Sequence, residues 1–129
     1  MDYDFLVKKA IEAKEKAYAP YSGFRVGAAV QTTEGRIYTG CNVENSSYGA
    51  TICAERTAIV KAVSEGQTEI CAIAITSDSD LLTYPCGICR QVISEFMNDN
   101  IKVICSDKNG KYKVYEMNDI LPHAFTKKD

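Results

Sequence analysis

The sequence predicts an α/β fold of three layers, with a mixed sheet of about five strands held between helices. Three observations predict it. Segments of helical spacing alternate with short apolar runs of strand length, an order that places helices on both faces of a sheet. One run, ICAIAIT at residues 70–76, is almost continuously apolar, as a strand covered on both faces is. Two turn signals, Glu34-Gly35 and Asn109-Gly110, each stand between strand-like runs. At 129 residues the chain fits a single domain over 1–129. A domain of that size buries roughly two-thirds of the surface its unfolded chain exposes.

The elements follow in order. Residues 4–17 read as a helix with Leu6, Ala10, Ala13 and Ala17 on one face, Glu12 and Lys16 outside, and Pro20 as the stop. Residues 25–32 and 36–43 are the arms of an antiparallel hairpin. Helical spacing resumes over 53–63, through Ala54, Ala58, Ile59, Ala62 and Val63. The strand 70–76 and the loop SDSD lead to a helix over 89–97, a strand over 102–106 and a second hairpin arm over 111–117. A short helical turn is expected near Leu121. No repeat, low-complexity tract or linker-like shift in composition divides the chain.

Composition excludes several classes of function. The chain is 46% hydrophobic and 25% charged with a net charge of −2, an ordinary globular balance that gives no bulk attraction to phosphate backbones. No basic stripe with interleaved aromatics is present, so nucleic acid is not an expected partner. The N-terminus, MDYDFLVKKA, carries acids where a secretory signal carries bases, and no apolar run reaches membrane-spanning length. A cytoplasmic protein with no membrane partner is expected, and its six cysteines are expected to stay reduced.

Three of those cysteines stand where a loop gives way to a helix, in Cys53-Ala54-Glu55 and in Pro85-Cys86-Gly87-Ile88-Cys89. A helix start offers unpaired N–H groups and the positive end of the dipole, and both stabilise the thiolate that binds metal. Three protein ligands leave the fourth corner of a zinc tetrahedron to water, whose pKa zinc lowers toward ~7. Glu55 suits a proton shuttle beside that water. Arg56 and Arg90 can each donate to a thiolate. Other uses stay open at this level. The CxxC can be a redox pair or a structural staple in a non-enzymatic zinc-stapled module, and Cys41 is a candidate fourth ligand. Cys71 and Cys105 lie in apolar runs as packing residues. His123, the single histidine, is expected at the surface.

FRVGAAV, GCNVENSSYG, CAERTA, PCGICRQV and LPHAF, in that order and spacing, resemble the small, homotetrameric, zinc-dependent cytidine deaminases over nearly the whole chain. The resemblance implies the cytidine deaminase-like three-layer fold and hydrolytic deamination of cytidine and 2′-deoxycytidine, with release of ammonia, in pyrimidine salvage. It implies one Zn²⁺ per chain on Cys53, Cys86 and Cys89, with Glu55 as the acid/base that shuttles protons while activated water attacks the amino-bearing ring carbon. Phe24 would stack on the base, Asn42 and Glu44 would bond the ribose 3′-hydroxyl, and the Ala54 backbone would grip the base. Arg56 would temper the thiolates. Tyr48 and Phe125 would enter from neighbouring subunits of a homotetramer. A blasticidin-type aminonucleoside deaminase shares the cysteine framework and is the alternative.

Two positions depart from the family pattern. Tyr84 stands where a small residue such as serine or threonine is usual, from which local repacking without loss of activity is expected. His123 replaces a common glycine, which bears on how Phe125 is presented.

Overall fold

A computed structural model describes residues 3–126, except for the side chains of residues 98 and 99. The elements are α1 (Asp4–Lys14), β1 (Val26–Thr32), β2 (Ile37–Cys41), α2 (Ala54–Ser64), β3 (Ile70–Ser77), α3 (Gly87–Phe96), β4 (Met97–Ser106), β5 (Tyr112–Glu116) and α4 (Met117–Ile120). A 3-10 turn over Tyr48–Ala50 precedes α2.

The sheet order is β2-β1-β3-β4-β5. β3 and β4 run parallel, joined by the α3 crossover, and the other neighbours are antiparallel. Gly35 and Gly110 take φ of 86° and 89° at the two predicted hairpin turns, as Glu34-Gly35 and Asn109-Gly110 require. The mixed five-stranded sheet and its helices match the expected fold class.

Alternation along the strands explains the layers. On β1 and β3, Ala28, Val30, Ile73 and Ile75 face the main core with Ala58, Ile59 and Ile93 of α2 and α3. The residues between them, Ala29, Ala72 and Ala74, face α1 through Leu6, Val7 and Ala10. Both faces of β3 are therefore covered, which is why its sequence is apolar without a break. Each fully buried isoleucine contributes on the order of 1.5–3 kcal/mol relative to exposure.

Two glycines let the helices settle close to the sheet. A Cβ on Gly27 would lie 2.1 Å from the Ala10 carbonyl oxygen of α1, and one on Gly40 would lie 2.5 Å from the Ala58 nitrogen and 2.7 Å from the Ala54 carbonyl oxygen of α2. Gly40 thus fixes the depth of the helix that Cys53 caps and whose first turn carries Glu55.

Several boundaries differ from the sequence reading. α1 ends at Lys14, three residues before Ala17, because Tyr18 is drawn into a bridge beside Val43: the Tyr18 N–H donates to the Asn42 carbonyl (2.9 Å) and the Glu44 N–H donates to the Tyr18 carbonyl (2.8 Å). The buried stripe of α1 is Leu6, Val7, Ala10 and Lys14, and Ala13 and Ala17 are only half-buried. Lys14 tolerates burial because its ammonium lies 3.2 Å from Asp78 Oδ1 and 3.4 Å from the Ser77 carbonyl. α3 begins at Gly87, with Cys86 as its cap, and β4 begins directly where α3 stops. The expected turn near Leu121 is α4, started by a capping box between Glu116 and Asp119.

Candidate metal centre and active site

Cys53 caps α2 and Cys86 caps α3, both in extended backbone conformation, and Cys89 lies in the first turn of α3. Neither capping thiol is spent on its own helix end, since neither makes a side-chain cap bond. The two helix starts meet at the same end of the sheet. The sulfurs of Cys53, Cys86 and Cys89 lie within 4.8 Å of one another, and Cys53 Sγ is 3.8 Å from Cys86 Sγ.

The Cys53–Cys86 spacing fits zinc. Zn–S bonds of ~2.3 Å at tetrahedral angles separate sulfurs by about 3.8 Å. The three thiols are a group positioned to hold one ion, and three is the number that leaves a corner to solvent. Cys41 is outside the group: its thiol donates to the Lys16 carbonyl (3.4 Å). Cys105 is fully buried, and burial pushes its thiol up to about 12. Cys71 is half-buried and donates to the Gln31 carbonyl (3.4 Å). Both read as packing residues.

The electrostatics favour a thiolate at Cys53. A hydrogen bond from Cys89, followed in size by one from Arg56, pulls the Cys53 thiol down to about 5 against the opposing effect of burial. Cys89 is pushed up, since it holds its proton as donor to that neighbour and is buried. Arg56 Nη2 donates to Cys53 Sγ (3.7 Å) and to the Thr51 carbonyl (3.3 Å), while its Nε is buried without a hydrogen-bond partner. Arg90 does not join it. The Arg90 Nε donates to the Pro85 carbonyl (2.8 Å) and Nη1 to the Ile120 carbonyl (2.7 Å), so this guanidinium braces the turn before Cys86 against α4.

A cavity of about 240 Å³ opens beside the sulfurs, lined by Phe24, Asn42, Cys53, Ala54, Glu55 and Cys86. Glu55 is almost fully buried, and the loss of solvent around its carboxylate raises its pKa to about 7. A carboxyl poised near neutrality can take up and release a proton at working pH.

Asn42 and Glu44 already bear structural duties. Asn42 Nδ2 donates to the Phe24 carbonyl and Oδ1 accepts from the Val26 N–H, both at 2.9 Å. Glu44 accepts from the Tyr21 and Ser22 N–H groups at 3.0 and 3.1 Å. Glu44 and Tyr48 line a second hollow of about 390 Å³ that adjoins the first at Thr51. Phe125 lines neither hollow. It is 68% exposed, and its carbonyl accepts from Gln91 Nε2 (2.8 Å).

The structure adds wall residues that sequence reasoning missed. Thr51 and Thr83 line the cavity, as does Val26. Thr83 had a signal in its place just before the PCxxC run, whereas Val26 and Thr51 arrive there only through folding. Tyr84 also lines the cavity, and its phenol is 2.8 Å from that of Tyr115 on β5. His123 is exposed as expected and holds φ at 56°, the left-handed region that favours glycine.

Comparison with known proteins agrees with this geometry. Residues 1–105 match the family described as the cytidine and deoxycytidylate deaminase zinc-binding region. A cytidine deaminase of Halalkalibacterium halodurans is 46% identical over 129 residues, covering 100% of this chain and 98% of that protein. The crystal structure of a cytidine deaminase from Burkholderia pseudomallei superposes with a TM-score of 0.91 at 43% identity, covering 97% of this chain and 100% of the other. One from Mycobacterium tuberculosis does so with a TM-score of 0.83 at 38% identity and 98% coverage of each chain. The chain belongs to the cytidine and deoxycytidylate deaminase zinc-binding family.

Proposed function

We propose that this member of the family is a cytidine deaminase that hydrolyses cytidine and 2′-deoxycytidine to the corresponding uridines and ammonia, in pyrimidine salvage. The observation that carries the reading is a trio of thiols within 4.8 Å of one another, two of which, Cys53 and Cys86, line one cavity with a buried carboxyl near neutrality. Cys53, Cys86 and Cys89 would hold zinc, which would supply a water activated for attack at neutral pH.

The chain's own residues supply the rest. Glu55 takes a proton from the attacking water and delivers it to the ring nitrogen beside the amino-bearing carbon. It then takes the second proton from the hydroxyl now on that carbon and passes it to the amine as the carbon–nitrogen bond breaks, leaving the uridine carbonyl and ammonia. Phe24 presents an aromatic face to the pyrimidine, and the Ala54 backbone holds the base edge. Asn42 retains its second amide hydrogen and Glu44 its unused lone pairs for the sugar hydroxyl, beyond the bonds each makes to backbone. Arg56 offsets the charge of the thiolates from beside Cys53.

The reading extends to assembly. Tyr48 is 81% and Phe125 68% exposed, and Val60 and Ile88 also point outward, a burden of exposed apolar surface suited to subunit contacts. A homotetramer would bring Tyr48 and Phe125 to the sites of neighbours. The chain would act as one domain over 1–129 in the cytoplasm. No helix among the described residues is long and apolar enough to cross a membrane.

An ultraviolet assay with cytidine on protein whose zinc is quantified tests the reading, with blasticidin S and a cytosine-containing oligonucleotide as competing substrates. Cytidine turnover with about one zinc per chain is expected. Faster turnover of either competitor, or a zinc-loaded protein inert toward cytidine, would reassign the substrate. Light scattering tests the tetramer.

A further inference from the structure

Phe24 lies in the irregular segment between α1 and β1 and is 43% exposed. Neither a strand ladder nor burial therefore holds its ring at the cavity. Its two backbone polar groups are taken by side chains instead. The Phe24 N–H donates to Ser22 Oγ (3.0 Å), and Asn42 Nδ2 donates to the Phe24 carbonyl (2.9 Å).

Ser22 is itself tied down. Its hydroxyl donates to Glu44 Oε2 (2.5 Å), while its N–H and that of Tyr21 donate to Glu44 Oε1 at 3.1 and 3.0 Å. Gly23, at φ 70°, turns the chain so that the serine oxygen meets the N–H two residues on. A second tie holds the same turn, with the Tyr21 hydroxyl 2.6 Å from Ser46 Oγ.

We propose that Ser22 is a positioning residue whose hydroxyl transmits the hold of Glu44 to the Phe24 amide and so sets the aromatic face at the cavity. The inference rests on the cytidine deaminase reading for the identity of what that face receives. A hydroxyl is suited to the task because it donates one hydrogen bond and accepts another at the same atom. Bonds to an ionised carboxylate are the stronger kind, and the Ser22 hydroxyl holds the Glu44 carboxyl below its ordinary range. Glu44 thereby acts on the base-binding wall through Ser22 as well as facing its own hollow. Because an aromatic face meets the base alike in ground and transition states, loosening it raises KM more than it lowers kcat.

The test compares steady-state kinetics on cytidine, with zinc content, for wild type, Ser22→Ala, Ser22→Thr, Phe24→Ala and the Ser22→Ala/Phe24→Ala double variant. Ser22→Ala is expected to raise KM about 3- to 10-fold with kcat within about threefold. Threonine keeps the hydroxyl and is expected to restore KM to within about twofold of wild type. With no ring left to position, Ser22→Ala is expected to lower kcat/KM of Phe24→Ala by less than it lowers that of wild type, the remainder reflecting its bond to Glu44. An unaltered KM in Ser22→Ala, an equal loss in both backgrounds, or loss of zinc from Ser22→Ala would each overturn the inference. A wild type that holds zinc yet leaves cytidine intact would instead overturn the reading it rests on.

Discussion

Cys53 Sγ lies 3.8 Å from Cys86 Sγ although 33 residues separate the two in the chain. Each is the cap of a different helix, and the helices start at the same end of one sheet. Replacing Cys53, Cys86 or Cys89 by serine removes a thiolate from a set of three. Zinc affinity in each variant is expected to fall by more than the 10- to 100-fold typical of changes to a ligand's supporting partners. Competition with a chromophoric chelator measures it, and wild-type affinity in any one variant would remove that residue from the ligand set.

Glu55 is buried beside the sulfurs with its carboxyl raised to about 7. Glu55→Gln keeps the shape and loses the proton. Turnover is expected to drop roughly 10²- to 10⁴-fold, the range of a positioned acid/base, with zinc content unchanged. Rapid turnover by this variant would take Glu55 out of the proton path.

Arg90 joins the Pro85 and Ile120 carbonyls through two separate nitrogens. Lysine keeps the charge and loses the fork. Arg90→Lys is expected to weaken zinc binding about 10-fold by freeing the turn that carries Cys86. The same chelator titration reads this out, and unchanged affinity would show that the turn holds without α4.

Gly40→Ala places a methyl 2.5 Å from the Ala58 nitrogen, backbone that cannot rotate aside. The variant is expected to lose about 1–3 kcal/mol of stability. Its denaturation midpoint against wild type gives the value. Wild-type stability would mean that α2 shifts freely over β2.

Asp78 is drawn down to about 2, first by its hydrogen bond from Arg25 and then, against the cost of burial, by contacts that include Lys14. A carboxylate whose folded pKa is depressed contributes stability above its unfolded pKa of about 3.9, and that stability is lost as pH falls toward the folded value. Asp78→Asn is therefore expected to be less stable than wild type at pH 6, with the gap closing between about pH 4 and 2. Thermal melts of both proteins across that range measure the gap, and a constant difference would show that the aspartate charge is not responsible.

Local spacing was enough to read much of the architecture. Glu34-Gly35 and Asn109-Gly110 make turns wherever the chain goes, and an unbroken apolar run such as 70–76 must be buried on both faces. The cysteine pattern at two helix starts was legible for the same reason, since cap positions are set by neighbours in the sequence. The end of α1 was not legible, because a distant bridge between Tyr18 and Val43 stops it before Pro20 can. Nor was the burial of Lys14, which depends on Asp78 from another element.

The sequence by itself determined the chemistry on offer at two helix starts, three thiols and a carboxyl in local contexts that suit them, whereas the aromatic, Phe24, entered only through the family resemblance. Only the tertiary structure decided that Arg56 and not Arg90 serves Cys53, that Thr51 joins two hollows, and that Glu44 grips the Phe24 segment through Ser22. Conformational preferences act over a few residues, whereas a site is assembled from contacts across the sheet, and those exist only once the layers have packed.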